Sequence, residues 1–339
     1  MSEIRQDITT NEWVIIATDR AKRPHDFVKP AKPLPPEFDP KCPFCPGNES
    51  QTPPEVLGYR QGGPANSPGW WIRVIPNRFA ALSPREASAT PKREVENGLF
   101  RKMDGIGKHE VLIETPKHNL YFPNFMDKQA EEVVIALRER YLALRTESNI
   151  KVVIIFKNHG DQAGTSLLHP HSQIVATPIV PQSLRRRLAT ATRYFDDNGG
   201  CLYCDLIQAE FKAARRMVED GPKFFVMHPF ASRSPFETWI LPKQHSACFG
   251  HLDIDSTKEL GRVLKRVLGK IFKLLGNPDY NIVIHTAPVN EEEEDYFHWY
   301  LRIIPRLSMM AGFEIGSGIF INTGLPEETA EALRAVKLQ

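Results

Sequence analysis

Residues 169–173 read His-Pro-His-Ser-Gln, the stretch of this sequence best suited to chemistry. Pro170 biases His169 toward an extended backbone, and alternate side chains of a strand share a face, so His169, His171 and Gln173 are expected to point the same way. As core filling, such a face would leave several polar groups without partners, which buried structure rarely tolerates. As a reaction centre it is coherent. An imidazole with its ordinary pKa of about 6.5 is neutral and nucleophilic near pH 7 and is also a good leaving group from phosphorus, so His171 is the candidate nucleophile for covalent nucleotidyl transfer. Gln173 can donate an amide N–H to a phosphate oxygen but cannot protonate a leaving group, which favours phosphorylated acceptors over simple hydrolysis.

Two Cys-x-x-Cys pairs offer a second kind of chemistry. Each supplies two thiolates from one turn, and structural zinc takes four nitrogen or sulfur ligands. The expected first set is Cys42, Cys45, His118 and His169; the second is Cys201, Cys204, His245 and His298. A closed four-ligand site leaves no position for substrate, so these metals, zinc in the first and zinc or iron in the second, are expected to fix the chain while His171 reacts. In the second half His298-Trp299-Tyr300 stands where the first has His169-Pro170-His171. A phenol protonated at pH 7 is a poor nucleophile, so that half is expected to be catalytically silent. Cys248, His25, His109, His159, His228, His251 and His285 read as exposed or packed side chains, and Glu291 to Asp295 as a solvated loop.

The elements that must position these groups show in the patterning. Many of the 28 prolines fall in the first 100 residues, which read as extended segments and turns. From Asp127, DKQAEEVVIALRERYLALRTES has apolar residues at helical spacing, and KVVIIFKN after it suits a buried strand. Beyond the second cysteine pair, KFFVMHPF and FETWILPKQH read as strands, DSTKELGRVLKRVLGKIFKLLG as an amphipathic helix, and YNIVIHTAP and HWYLRIIP as further strands. Helix, apolar strand and histidine-led strand thus recur in the same order, which points to internal duplication. The basic stretch SLRRRLATATRYFDDNGG reads as the connection, giving domains 1–194 and 195–339. At 339 residues, 43 Lys plus Arg against 41 Asp plus Glu and a net charge of +2, the chain has ordinary globular composition and no call for nucleic acid as partner. The polar start and the lack of a long apolar run predict no membrane association and a cytoplasmic place.

The sequence resembles the galactose-1-phosphate uridylyltransferases, the transferase branch of the histidine-triad superfamily, through the HPHSQ motif at His169 to Gln173. The likeness runs along nearly the whole chain, in DITTNEWVIIATDRAKRP, CPFCPGNE, VIPNRFAAL, FKNHGDQAGTS and the tail GFEIGSGIFINTGLPEETAEALR. It implies an α+β fold of two tandem histidine-triad-like domains, each an antiparallel sheet with helices packed on one side. It also implies phosphate contacts from Arg20 and Arg23, a nucleotide pocket holding Asn77, and Asn158 and Ser166 beside Gln173 around the transferred phosphate. A homodimer with shared active sites follows from the same resemblance, with the segment Ala311 to Glu314 reaching a neighbour's site and Glu314 a ligand for sugar hydroxyls. Ser308 and Met309 stand where the family often carries lysine.

The expected reaction is ping-pong between a nucleotide sugar and a sugar 1-phosphate. UDP-glucose gives UMP to His171, and galactose 1-phosphate takes it up. The paired cysteines of the second half also resemble a plant-type relative that acts as an ADP-glucose phosphorylase, so an ADP-sugar donor with phosphate as acceptor is the alternative. A zinc-dependent nucleotide-binding module without chemistry is the remaining rival.

Overall fold

A computed structural model describes residues 2–18, 24–28, 34–83 and 91–338. The first half runs through β1 (Glu3–Asp7), β2 (Glu12–Ile16), β3 (Leu57–Arg60), β4 (Trp70–Pro76), β5 (Arg93–Glu96), β6 (Phe100–Met103) and β7 (Lys108–Ile113). Helix α1 (Asp127–Arg145), β8 (Val152–His159) and β9 (His171–Thr177) complete it. Helices α2 (Gln182–Asn198) and α3 (Leu202–Ala213) lead into β10 (Met217–Asp220), β11 (Phe224–Met227), β12 (Thr238–Pro242), α4 (Ile254–Leu275), β13 (Tyr280–His285) and β14 (Tyr300–Pro305). The chain closes with α5 (Gly312–Ser317), β15 (Phe320–Asn322) and α6 (Pro326–Ala335).

Strand order is palindromic. Among the described residues the main sheet has ten strands in the order β10-β11-β12-β14-β13-β8-β9-β7-β4-β3. Read inward from either edge, each half contributes its strands in the same order, and the halves meet where β8 pairs antiparallel with β13, Asn158 opposite Asn281. The two antiparallel sheets expected from the sequence are present, fused edge to edge. A separate three-stranded sheet, β1-β2-β15, ties the end of the chain to its start.

Periodicity explains the main core. On α1, Ala130, Val133, Val134, Leu137, Tyr141 and Leu144 recur every three or four residues and bury one stripe. Helix α4 does the same with Leu260, Leu264, Val267, Leu268, Ile271 and Leu275. It starts at Asp253, whose carboxylate accepts the Ser256 N–H at 2.6 Å, and ends at Gly276 with φ of 70°. The two helices approach so closely at Gly261 that a Cβ there would lie 2.6 Å from the Ala130 carbonyl oxygen. Together they cover one face of the sheet, sharing a core with Ile155 and Ile174 of one half and Ile282 and Leu301 of the other.

The opposite face is built differently in the two halves. In the second, α2 and α3 lay Leu184, Leu188, Ala191, Leu202, Tyr203 and Ile207 over Phe225, Trp239, Leu241 and Tyr300. Helices therefore cover both faces there, not one. The sequence hid this because the buried positions of α2 are few and spaced among arginines; the expected junction at 194/195 falls inside this helix. In the first half that face carries the Cys42–Cys45 turn packed on Trp70, Ile75, Val111 and Ile113.

Candidate functional site

Strand ends assemble the two cysteine-histidine sets. His169 stands two residues before the start of β9, and His298 two before the start of β14. The Nε2 of His169 lies 2.7 Å from the Thr115 carbonyl and that of His298 2.9 Å from the Pro242 carbonyl. Each Nε2–H donates to its carbonyl, which turns Nδ1 toward sulfur. His169 Nδ1 is 3.8 Å from Cys42 Sγ and 3.6 Å from Cys45 Sγ, and His118 Nδ1 is 3.6 Å from Cys45 Sγ. In the second set Cys204 Sγ lies 3.4 Å from His245 Nδ1 and 3.6 Å from His298 Nδ1, with Cys201 completing the group. The paired imidazoles repeat one geometry, 5.3 Å between centroids at 85°, in both halves. Ligands of a tetrahedral site with bonds of roughly 2.0–2.3 Å stand roughly 3.5 Å apart, so either set can enclose a metal ion. Burial lowers the pKa of His169 to about 4 and also lowers that of His118, favouring the neutral imidazole that ligates.

His171 opens β9 on the face away from α1 and α4. Its Nδ1 lies 2.8 Å from the His169 carbonyl, to which Nδ1–H donates, and this leaves the Nε2 lone pair unprotonated and able to act as a nucleophile. Burial pushes its pKa down, against the opposing pull of that hydrogen bond. Phe44, held between the two cysteines of the first set, packs edge-on against it at 5.5 Å. The Cys42–Cys45 turn thus forms one wall beside the His171 ring.

Gln173 follows on the same face and is anchored from outside its own strand. The Ala81 N–H donates to His109 Nδ1 at 3.2 Å, so the proton sits on Nε2, which donates to Gln173 Oε1 at 2.8 Å. Asn77 Oδ1 accepts the Phe79 N–H, which leaves its Nδ2 3.1 Å from the same nitrogen as a donor beside a donor, a contact and not a hydrogen bond. With its oxygen held, Gln173 is left with its NH2 group to offer.

On the reverse face Lys157 Nζ donates to both carboxylate oxygens of Glu114 at 2.8 Å and to the His171 carbonyl at 3.2 Å. Ser172 Oγ donates to Glu114 Oε1 at 2.6 Å. This buried pair pins the first residues of β9 to β8 and to the end of β7.

Known proteins match the chain along nearly its whole length. The model of the galactose-1-phosphate uridyl transferase N-terminal domain matches residues 1–181, and that of its C-terminal domain matches 187–338. The chain belongs to the galactose-1-phosphate uridyl transferase family. An ADP-glucose phosphorylase from Arabidopsis thaliana is 39% identical over 99% of this chain and 93% of its own. A galactose-1-phosphate uridylyltransferase from Thermotoga maritima is 30% identical over the full length of both. The crystal structure of the Arabidopsis ADP-glucose phosphorylase with bound ADP-glucose superposes with a TM-score of 0.82, at 36% identity and complete coverage of both chains. The chain is thus a nucleotidyltransferase by family, with an α+β fold built on a large antiparallel sheet.

Within this family member, His171, Gln173, Asn77 and Asn158 gather on or beside one face of the sheet. Ser166 is exposed on the loop leading to His169. Glu314 accepts the Ala311 N–H at 3.0 Å and borders a pocket of about 200 Å³ with Arg233, Arg302 and Arg306. Arg20 and Arg23 lie outside the described residues. Sequence reasoning missed His109, read as a bland side chain, and Phe44; only the strand register that sets His109 opposite Val175 and Val111 opposite Gln173 reveals the former. His109→Ala frees the Gln173 amide to rotate. Nucleotidyl transfer in a single turnover is expected to slow roughly tenfold, the cost of a mispositioned donor, with thermal stability nearly unchanged.

The matching position of the second half is closed. Tyr300 is fully buried, stacked on Trp239 at 4.4 Å, and accepts the Arg187 Nε–H at 3.1 Å beneath α2. Where Gln173 stands in the first half, Arg302 pairs with Glu237 at 2.7 Å.

Proposed function

We propose that the chain moves a nucleoside monophosphate through His171, with an ADP-sugar as donor and inorganic phosphate as acceptor. The observation that carries the mechanism is the anchored Nδ1–H of His171, which presents a neutral Nε2 beside an amide whose oxygen is already engaged. Nε2 attacks the α-phosphorus of ADP-glucose, the bond from that phosphorus to the bridging oxygen breaks, and glucose 1-phosphate leaves with the electron pair. A phosphate oxygen then attacks the same phosphorus, forming ADP and returning the imidazole. Gln173, Asn158 and Ser166 are assigned to the charge developing on the phosphoryl oxygens, Arg20 and Arg23 to phosphate, Asn77 to the nucleotide pocket and Glu314 to sugar hydroxyls in a homodimer.

Both metal sets are assigned zinc, iron being the alternative in the second. The ions fix strand ends and, through Phe44, the setting of His171; the second half, with Tyr300 in place of a nucleophile, carries metal without chemistry. Among the described residues no helix is long and apolar enough to cross a membrane. The adenine reading draws on the likeness to the Arabidopsis enzyme. The second reading, UDP-glucose with galactose 1-phosphate, draws on the Thermotoga relative and the family as a whole.

Intact mass after separate incubation with ADP-glucose and UDP-glucose decides between them. An adenylyl increment from ADP-glucose alone is expected. A uridylyl increment from UDP-glucose alone transfers the assignment to the second reading, and no increment from either in metal-replete protein rejects covalent transfer in favour of a binding module.

A further inference from the structure

We propose that Asn281 and Arg306, both supplied by the second half, are positioning residues that hold the Asn158 side-chain amide with its NH2 group turned toward His171. The proposal rests on nucleotidyl transfer through His171 and adds to it the means by which a second amide donor is oriented.

A chain of hydrogen bonds crosses the seam between the halves. Arg306 Nε donates to Asn281 Oδ1, Asn281 Nδ2 donates to Asn158 Oδ1 at 2.8 Å, and the same Nδ2 donates to the Ala163 carbonyl at 2.9 Å. The chemistry of the partners fixes which way each amide faces. A guanidinium only donates, so the oxygen of Asn281 faces Arg306. A backbone carbonyl only accepts, so the NH2 of Asn281 faces Ala163, and with it Asn158. The oxygen of Asn158 is therefore consumed on its β13 side. Its NH2 is left for the β9 side.

Register says what lies there. Asn158 on β8 pairs with Asn281 on β13, and Phe156 pairs with Gln173 on β9. Continued by two residues, the β8–β9 register sets Asn158 opposite His171. Asn281 is 8% exposed, too buried for water to offer an easy substitute. Arg306 is itself held at the end of β14, where its backbone N–H donates to the Asp279 carbonyl at 2.7 Å. The carboxylate of Asp279 in turn accepts the Gln162 N–H at 2.8 Å, so the loop before His169 is fastened by the same residue.

The arrangement repeats the logic of Gln173. Both amides have their oxygens tied to protein, one by His109 and one by Asn281, and both are left to donate where negative charge grows on a phosphoryl group. The cation at the far end polarises the amides in line and strengthens the last donor. A half that carries no nucleophile thereby completes the site of the other.

Asn281→Asp tests this in the full chain. The aspartate keeps the shape and the Arg306 contact but only accepts, so the Asn158 NH2 turns inward to meet it. Single-turnover nucleotidylation by ADP-glucose or UDP-glucose, whichever labels the wild type, is expected to slow by about 100-fold, the scale of losing one preorganised donor. The calorimetric Kd for that nucleotide sugar is expected to change by less than about threefold. Asn158→Ala and the double variant with Asn281→Asp are expected to react at the same rate. Arg306→Met slows the reaction, and Arg306→Lys, which keeps a donor, recovers most of the loss. Side-chain amide NMR measures orientation without turnover: the Asn281 NH2 exchanges slowly and the Asn158 NH2 fast, and Asn281→Asp makes the latter slow. An Asn158 NH2 protected in the wild type, or rate losses that add in the double variant, overturns the relay. A wild type that forms no adduct but shows the expected exchange pattern overturns the transfer reading and leaves the orientation established.

Discussion

The His171→Asn protein is expected to fold, to bind nucleotide sugar and never to gain a nucleotidyl mass. Asparagine can keep a donor near the His169 carbonyl, so the local backbone has its partner, but it has no counterpart of Nε2. Without a nucleophile the two displacements cannot be separated, and turnover is expected to fall by on the order of 10⁴-fold or more. The neighbouring amides still face the phosphate, so ground-state affinity survives. Intact mass and steady-state turnover measure the two consequences. Wild-type turnover in this variant, or an adduct still formed on it, would remove His171 from the chemistry.

Loss of metal from the first cysteine-histidine set is expected to have the largest effect on stability. Cys45 Sγ lies within 3.6 Å of both His118 and His169 and accepts the Asp39 N–H at 3.4 Å, so one atom joins three segments. Structural zinc sites carry folding free energies of about 10 kcal/mol in small peptides, and a chain with its own core retains only part of that dependence. A cost of ~5 kcal/mol lowers the midpoint of thermal unfolding by about 7 °C in a chain of this length. Cys45→Ser and chelated wild type are expected to converge on that lowered midpoint and to lose transfer, because Phe44 leaves the His171 ring when the turn opens. Cys204→Ser is expected to cost stability with less effect on rate, since Tyr300 is buried against Trp239 and Arg187. Metal content by elemental analysis, followed by thermal scans, tests this. Metal-free protein with an unchanged midpoint and rate would contradict the structural assignment.

Legibility in the sequence followed the range of each interaction. The HPHSQ stretch and both cysteine-histidine sets stand out because their residue types are rare and closely spaced, and the structure brings all eight Cys and His residues of the sets into two tight groups that could each hold a metal ion. Helices α1 and α4 announced themselves through apolar stripes. Helix α2 did not, because it buries Arg187 as well as leucines and its remaining faces are charged or polar. The roles of His109, Asn281 and Arg306 arise from pairing between distant strands, β7 with β9 and β8 with β13, and no local pattern in the chain encodes a register. Asn158 was named by resemblance, but its orientation depends on residues more than a hundred positions away.

The seam between β8 and β13 also bears on how the chain can be cut. Each of those strands has its second hydrogen-bonding neighbour in the other half, so neither half ends on a natural edge there. Severing the link in α2 would leave the fragments clasped along the sheet, whereas producing the first half alone would expose β8 as a row of open donors and acceptors. Such an edge recruits whatever strand is nearest, another copy of itself included. What looks like two beads on a string behaves, for the backbone, as a single fabric.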